Sequence, residues 1–238
     1  MMTPLETTRR RPEPLRVLIG YSMRSGSTLL THILDQHSAL RAYSDVSSFY
    51  VLGRMALCLP PRTNVCVKPL DIVYLQRRGD FIRHFNRFVW ITRDPRDSYL
   101  STIKSGYAYL FWRPGRVVNG IDVGLLRRWR QVHRHLLSGR RRWHVVRYED
   151  LVTDPERTLA RLLGYLDLPP ERLLPFPRFS VLNGGDYKVQ QTRDVRANSV
   201  RRYRKVLTPA QLRVFERHLG GPMRSLGYLD GSGREAAG

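Results

Sequence analysis

Long apolar runs are missing from this 238-residue chain. No window approaches 18 uninterrupted apolar residues, so the sequence offers no helix that would span a bilayer. Cysteine is scarce: Cys58 and Cys66 are too few for a disulfide framework, and they sit in apolar stretches where reduced, packed thiols are the default. Lysine is nearly absent too, with Lys68, Lys104, Lys188 and Lys205 set against 37 arginines. Acidic residues are few, 20 Asp+Glu against 41 Lys+Arg, for a net charge of +21. The arginine bias fits a GC-rich coding sequence as readily as a function. Its functional reading is a surface and cleft that attract anions: nucleic acid, acidic lipid or a multiply phosphorylated cofactor. The N-terminus carries Pro4, Pro12, Pro14 and the run Arg9-Arg10-Arg11 but no apolar core for a secretory signal. Residues 1–16 therefore read as a short disordered basic arm, and the protein as cytoplasmic.

What remains has an ordinary balance, 42% hydrophobic and 26% charged, and enough length for one core. Residues 17–230 read as a single domain and 231–238 as a flexible tail. Apolar runs of strand length fall at Val17–Tyr21, Asn64–Val67, Arg87–Thr92 and Trp143–Arg147. Helical spacing falls between them: Ser27–His37, a helix opened by Asp94-Pro95, Ile121–Leu137, one opened by Asp154-Pro155 and running to Leu166, and one capped by Thr208-Pro209. Strands alternating with helices predict an α/β fold, a P-loop-like parallel sheet of four to five strands with helices on both faces. Asn183–Ala197 has neither period and reads as a long loop. No internal repeat is visible.

The first strand runs into Ser22-Met23-Arg24-Ser25-Gly26-Ser27-Thr28 and then a helix. A loop and first helical turn in this setting present backbone N–H groups with no internal partner, at the positive end of the helix dipole. Gly26 allows close approach, Ser27 and Thr28 add hydroxyls, and Arg24 adds a full charge. The nucleotide-hydrolase motif GxxxxGK[ST] is absent: Gly20 and Gly26 stand one residue too far apart, and no glycine–lysine pair exists. A polar turn with a good cap is the bland alternative. A second anchor follows the strand Arg87–Thr92. Arg93 lies at the strand end, and Ser101 lies two turns into the helix that Arg93-Asp94-Pro95-Arg96-Asp97 opens. Both converge on the carboxyl edge of a sheet, where a second phosphate could be held. The alternative there is a capped helix start whose charges are solvated.

In these segments the chain resembles the sulfotransferases that use 3′-phosphoadenosine 5′-phosphosulfate (PAPS), from about Val17 to Tyr228. RSGSTLL is similar to that family's 5′-phosphosulfate loop, which implies cofactor contacts from Arg24, Ser25, Gly26, Ser27, Thr28 and Leu29. Arg93 with Ser101 resembles its 3′-phosphate pair. Val146–Leu151 followed by Asp154-Pro155 resembles its "YEDL…DP" segment, placing Tyr148 beside the adenine. Asn198–Arg204 is similar to its late basic element, implying Ser199 and Arg201 over the cofactor. Lys68-Pro69 resembles the "K-x-P" of the tyrosylprotein and bacterial branches, without the intervening residue. The resemblance implies PAPS as co-substrate, adenosine 3′,5′-bisphosphate as product and no metal. Arg24 would neutralise the leaving phosphate, and Lys68 would reach the bridging oxygen or the sulfuryl group.

The resemblance also implies a base for the acceptor hydroxyl. In the carboxylate branch it lies about two dozen residues past the loop arginine, which points to Asp45. The surrounding Leu34, Asp35, His37 and Arg41 resemble that branch as well. Asp45 is a methylene shorter than the usual glutamate, and Ser44 stands where a first acidic residue would be. A helix N-cap is the other reading of Asp45, and His84 is the histidine alternative. The acceptor would be a small-molecule, carbohydrate or lipid hydroxyl. Tyr99, Tyr107, Tyr109, Phe111 and Trp112 either line its pocket or pack in the core. Three other functions compete: a P-loop-type nucleotide kinase, an inactive relative that only binds the cofactor or its product, and a nucleic-acid-binding module. The arginines are spread along the chain with no aromatic-interleaved basic motif, so no nucleic-acid partner is expected. Oligomeric state is left open.

Overall fold

The computed structural model describes residues 13–60, 62–74, 80–106, 115–139, 142–174 and 197–230. Four strands come early: β1 (Arg16–Tyr21), β2 (Arg41–Ser44), β3 (Val65–Lys68) and β4 (Arg87–Thr92). The two-residue strands β5 (Val117–Val118) and β6 (Ile121–Asp122) form a small antiparallel pair, and β7 (His144–Arg147) returns to the main sheet. The main sheet is parallel throughout, in the order β2-β3-β1-β4-β7. Val17, Leu18 and Ile19 in β1 are wholly buried and Tyr21 nearly so. Successive strand residues point to opposite faces, so the centre of the sheet is covered on both.

Seven helices accompany these strands among the described residues: α1 (Ser27–Leu34), α2 (Val46–Ala56), α3 (Pro95–Ser105), α4 (Val123–Leu137), α5 (Tyr148–Thr153), α6 (Pro155–Tyr165) and α7 (Pro209–Ser225). Three of them start as their sequence dictates. The Asp94 carboxylate accepts from Arg96 N–H, Asp154 accepts from Arg157 N–H, and Thr208 forms a capping box with Gln211, each with proline in the first turn. Leu30 and Ile33 of α1, Val51 and Met55 of α2 and Leu162 of α6 join the sheet in one core. A second core joins α3, α4 and α7 through Tyr99, Leu126, Trp129, Phe215 and Leu219.

The structure departs from the sequence reading in four places. β2 was not expected: it is a four-residue edge strand of mixed polarity, and only its pairing with β3 makes it one. Helix α1 stops at Leu34 rather than His37, because Asp35 turns its carboxylate to Ala42 N–H at 2.9 Å and His37 Nε2 meets the Pro169 carbonyl at 3.0 Å. The proposed arm is too long at its inner end. Leu15 N–H donates to Asn64 Oδ1, Arg16 N–H donates to Asn86 Oδ1, and Arg16 already belongs to β1. Residues 1–12, the tail 231–238 and loop residues 183–196 lie outside the described residues, while Ala197–Ser199 forms one 3-10 turn.

The connection after β1 runs towards β2, and the one after β4 runs towards β7 on the other side. The crevice between the carboxyl ends of β1 and β4 is thus a topological switch point, where open α/β sheets bind ligands. Gly20, the register partner of Trp90, sits just before it. A Cβ on Gly20 would stand 2.2 Å from the fully buried Trp90 ring, which itself packs on His133 of α4 and on Trp143. Gly20→Ala should therefore lower stability by about 1–3 kcal/mol through overpacking. Most of that loss should vanish in a Trp90→Leu background. Denaturant titration of both variants and the double variant measures the coupling, and independent costs would mean that the two residues do not meet.

Candidate active site at the carboxyl edge of the sheet

The loop after β1 owes its shape to two left-handed residues, Arg24 (φ 63°) and Gly26 (φ 89°). Gly26 is the N-cap of α1 and offers no side chain, so no side-chain oxygen caps the first N–H groups of the helix. A Cβ at Gly26 would lie 2.4 Å from the Tyr148 ring, so only glycine lets that ring cover the loop. The hydroxyls of Ser22 and Ser25 are buried with no hydrogen-bond partner among the described residues. Ser27 is buried and Thr28 half-buried at the start of α1, and the Leu29 side chain packs against the core, which leaves its backbone N–H for the loop. A short, uncapped helix start with orphaned hydroxyls is the donor set of an anion cradle.

Arg93 organises the other wall. It is 8% exposed, donates to the Arg24 carbonyl at 3.2 Å and the Ser199 carbonyl at 2.8 Å, and lies 4.4 Å above the Tyr148 ring. Its Nε is buried without a partner among the described residues. Tyr148 and Ser199 share a hydroxyl–hydroxyl bond of 2.7 Å. Arg24 Nε donates to Ser101 Oγ at 3.1 Å, so the loop arginine leans towards the second anchor. Arg24, Arg93, Ser101, Tyr148 and Ser199 therefore meet. Arg201 is exposed, left-handed at φ 55°, and starts the 3-10 turn Arg202–Lys205.

The solvated-charge reading of the RDPRD segment fails, since Asp94, Arg96 and Asp97 are all buried. Asp94 pairs with Arg96 at 2.6 Å, and the Arg96 guanidinium stacks 3.8 Å from the Tyr203 ring. Asp97 accepts from Tyr203 N–H at 2.8 Å, and burial raises its carboxyl above the usual range. Glu149, also raised mainly by burial, accepts from Asp94 N–H at 2.9 Å. These carboxylates fix the late basic segment and the start of α5 against α3. Sequence reasoning missed Asp97 and Glu149 in this role because their partners lie 106 and 55 residues away.

On the other side of β1, the register pairs Ser44 with Lys68, which places Asp45 at the edge next to Lys68. Lys68 Nζ lies 2.6 Å from Asp45 Oδ1, with side chains 4% and 22% exposed. Ser44 Oγ donates to Asp45 Oδ2 at 3.1 Å, and the Lys68 ammonium lies 4.8 Å from the Tyr21 ring centre. Asp45 occupies the N-cap position of α2, yet its side chain caps nothing, and its backbone is left-handed at φ 49°. The carboxylate is thus turned from its own helix to a buried ammonium, on a strained backbone, and the helix-cap reading of Asp45 does not hold. His84 belongs elsewhere. It lies in the 3-10 turn Asp80–His84 at the amino end of β4, beside Arg83 and at the opposite sheet edge from the loop, Asp45 and Lys68.

Behind the loop, Ser22, Met23, Asp71, Ser98, Tyr99 and Trp129 help to line a cavity of about 40 Å³. A buried ion pair, Asp71 with Arg128 at 2.8 Å, borders it, and burial still raises the Asp71 carboxyl despite that partner. Tyr99 both lines this cavity and packs on Phe215. Tyr107, Tyr109, Phe111 and Trp112 lie outside the described residues.

Comparison with known proteins agrees with this geometry. The family model described as "Sulfotransferase family" matches residues 85–172, the stretch that carries Arg93, Ser101 and Tyr148. An omega-hydroxy-beta-dihydromenaquinone-9 sulfotransferase, Stf3 of Mycobacterium tuberculosis, is 31% identical over 150 residues, covering 60% of this chain and 35% of that protein. The chain thus spans about a third of the curated relatives it matches. The sulfotransferase domain of the Synechococcus PCC 7002 olefin synthase superposes with a TM-score of 0.62 at 17% identity, covering 88% of this chain and 96% of that one. Mouse sulfotransferase SULT7A1 complexed with PAP gives 0.53 at 14% identity, covering 88% and 85%. The chain shares the fold of these sulfotransferases around the switch-point loop, and a sulfotransferase family model matches the stretch that carries the second anchor.

Proposed function

We propose that the protein transfers a sulfuryl group from PAPS to a hydroxyl acceptor. The observation that carries this reading is the meeting of Arg24, Arg93, Ser101, Tyr148 and Ser199, from five separate segments, around the uncapped start of α1. The residues fit a nucleotide with two phosphate positions. One is the loop, with the orphaned Ser25 hydroxyl and the free first-turn amides; the other is Arg93, with its unpartnered buried Nε, beside Ser101. Tyr148 offers an aromatic face next to both. The absence of a glycine–lysine pair argues against a kinase using the same fold.

PAPS supplies the sulfuryl group, and adenosine 3′,5′-bisphosphate departs. By analogy with phosphoryl transfer, positioning and charge stabilisation dominate such a step. The loop N–H groups and Arg24 bear the charge that grows on the leaving phosphate. Lys68 stands on β3, between the loop strand β1 and the strand β2 that leads to Asp45, and brings a positive charge to the gap between them. Asp45 takes the acceptor proton. Ser44 and Lys68 hold one carboxylate oxygen each, which orients the group without a helix cap. The acceptor is a hydroxyl on a lipid-like molecule. Supporting this, the relative that matches 60% of the chain is named for a menaquinone derivative that carries a terminal hydroxyl.

Three measurements test the reading. Adenosine 3′,5′-bisphosphate without magnesium should raise the melting temperature, whereas ATP with magnesium should not. Arg93→Ala should weaken bisphosphate binding by about 1.5–3 kcal/mol and Ser101→Ala by about 1 kcal/mol. Calorimetry showing both variants at parent affinity would misplace the second phosphate. Asp45→Asn should reduce turnover by about a hundred- to ten-thousand-fold and leave bisphosphate affinity unchanged. Asp45→Glu should restore part of the turnover. Lys68→Ala should add little to Asp45→Asn, because the two side chains act as a pair. Near-parent turnover of Asp45→Asn would remove it as the base.

A further inference from the structure

Helix α2 begins at the residue after Asp45 and has a face that the described residues leave uncovered. Its inner side, Ser48, Val51 and Met55, is buried. Its outer side should then be polar, as on any surface helix. Instead Val46, Phe49 and Tyr50, with Leu57 and Leu59 in the turn that follows, are between 48% and 80% exposed. Arg54 is the one charged residue from Val46 to Pro60, and no Asp or Glu occurs from Val46 to Leu70. The Arg54 guanidinium folds back over the Tyr50 ring, 5.8 Å from its centre. Arg62, at the end of the same segment, is also exposed. A contiguous apolar strip on a chain with 26% charged residues marks a contact surface.

The charge says which contact. Two copies of a chain with net charge +21 repel each other, so a second copy is a poor occupant. An anionic bilayer matches both features at once: its acyl boundary takes the aromatic and aliphatic side chains, and its headgroups take Arg54, Arg62 and the positive field of the whole protein. We propose that the outer face of α2 and the turn after it seat on an anionic membrane surface, and that the acceptor hydroxyl is drawn from that surface to Asp45. The proposal rests on the sulfotransferase reading for its second half only. Docking itself needs neither nucleotide nor acceptor. Val46 is the neighbour of Asp45 in the chain, so a lipid entering beside α2 brings its hydroxyl past the carboxylate first.

The test is sedimentation of the full chain with vesicles at near-physiological salt, without nucleotide. The parent should bind vesicles containing phosphatidylglycerol and leave those of phosphatidylcholine alone. Phe49→Ser combined with Tyr50→Ser should weaken binding by about tenfold or more. Both residues are exposed, so the variant should melt as the parent does and keep its turnover on a water-soluble alcohol. Asp45→Asn should bind vesicles like the parent, which separates a failure of docking from a failure of the catalytic reading. Equal binding by parent and double variant would reduce the contact to arginine electrostatics and overturn the proposal. So would a parent that ignores all vesicles, or one that forms a dimer which the double variant does not.

Discussion

A single guanidinium holds one end of the candidate site together. Arg93 reaches one carbonyl in the loop after β1 and another at Ser199, more than a hundred residues further on, while its plane rests on Tyr148. Lysine could not do this: it lacks the rigid fork that serves two acceptors and the flat face that stacks on a ring. The same side chain keeps one buried nitrogen unpaired, which in a folded protein is tolerated where a ligand completes the set. Arg93 thereby ties shape to function, since the contacts that assemble the loop, α5 and the late basic segment leave a donor aimed for an anion.

Around it, buried carboxylates do the positioning. Asp94, Asp97 and Glu149 each take up backbone N–H or arginine donors, and burial raises the carboxyls of Asp97 and Glu149. An excess of arginine would otherwise repel itself in so small a volume. On the far side of β1, Lys68 and Asp45 form a second and separate charge pair, next to the strained turn that opens α2. The two clusters flank the loop after β1 along one sheet edge, the arginine-rich one on the β4 side and the Lys68–Asp45 pair on the β3 side. That arrangement suits the proposed transfer from a polyanionic donor to a neutral hydroxyl.

Much of this was legible beforehand, and for local reasons. Loop Ser22–Thr28 follows an apolar strand and precedes a helical period, so its reading as a helix-start anion cradle needs only neighbours in sequence. Arg93 and Ser101 sit eight residues apart across a capped helix start, and their approach to the loop follows from parallel strands ending at one edge. Strand β2 was not legible, because four residues of mixed polarity carry no period of their own. Without β2 the register that sets Asp45 beside Lys68 was invisible, and a helix cap looked as good as a catalytic carboxylate. His84 stayed a candidate for the same reason: sequence places it near a strand, and only the direction of that strand puts it at the wrong end.

Sequence by itself determined the local chemistry: which strands are apolar on both faces, where helices are capped, where glycine frees a loop, and how strongly positive the chain is. These depend on residues within a turn or two of each other. Tertiary structure decided the partners. It gave Asp45 to Lys68 instead of to its own helix, tied Arg93 to Ser199, buried the RDPRD charges that could have been solvated, and, among the described residues, left the outer side of α2 bare. Each of these joins groups far apart in the chain, and pairings of that kind are set by strand order and register, which no short stretch of residues encodes.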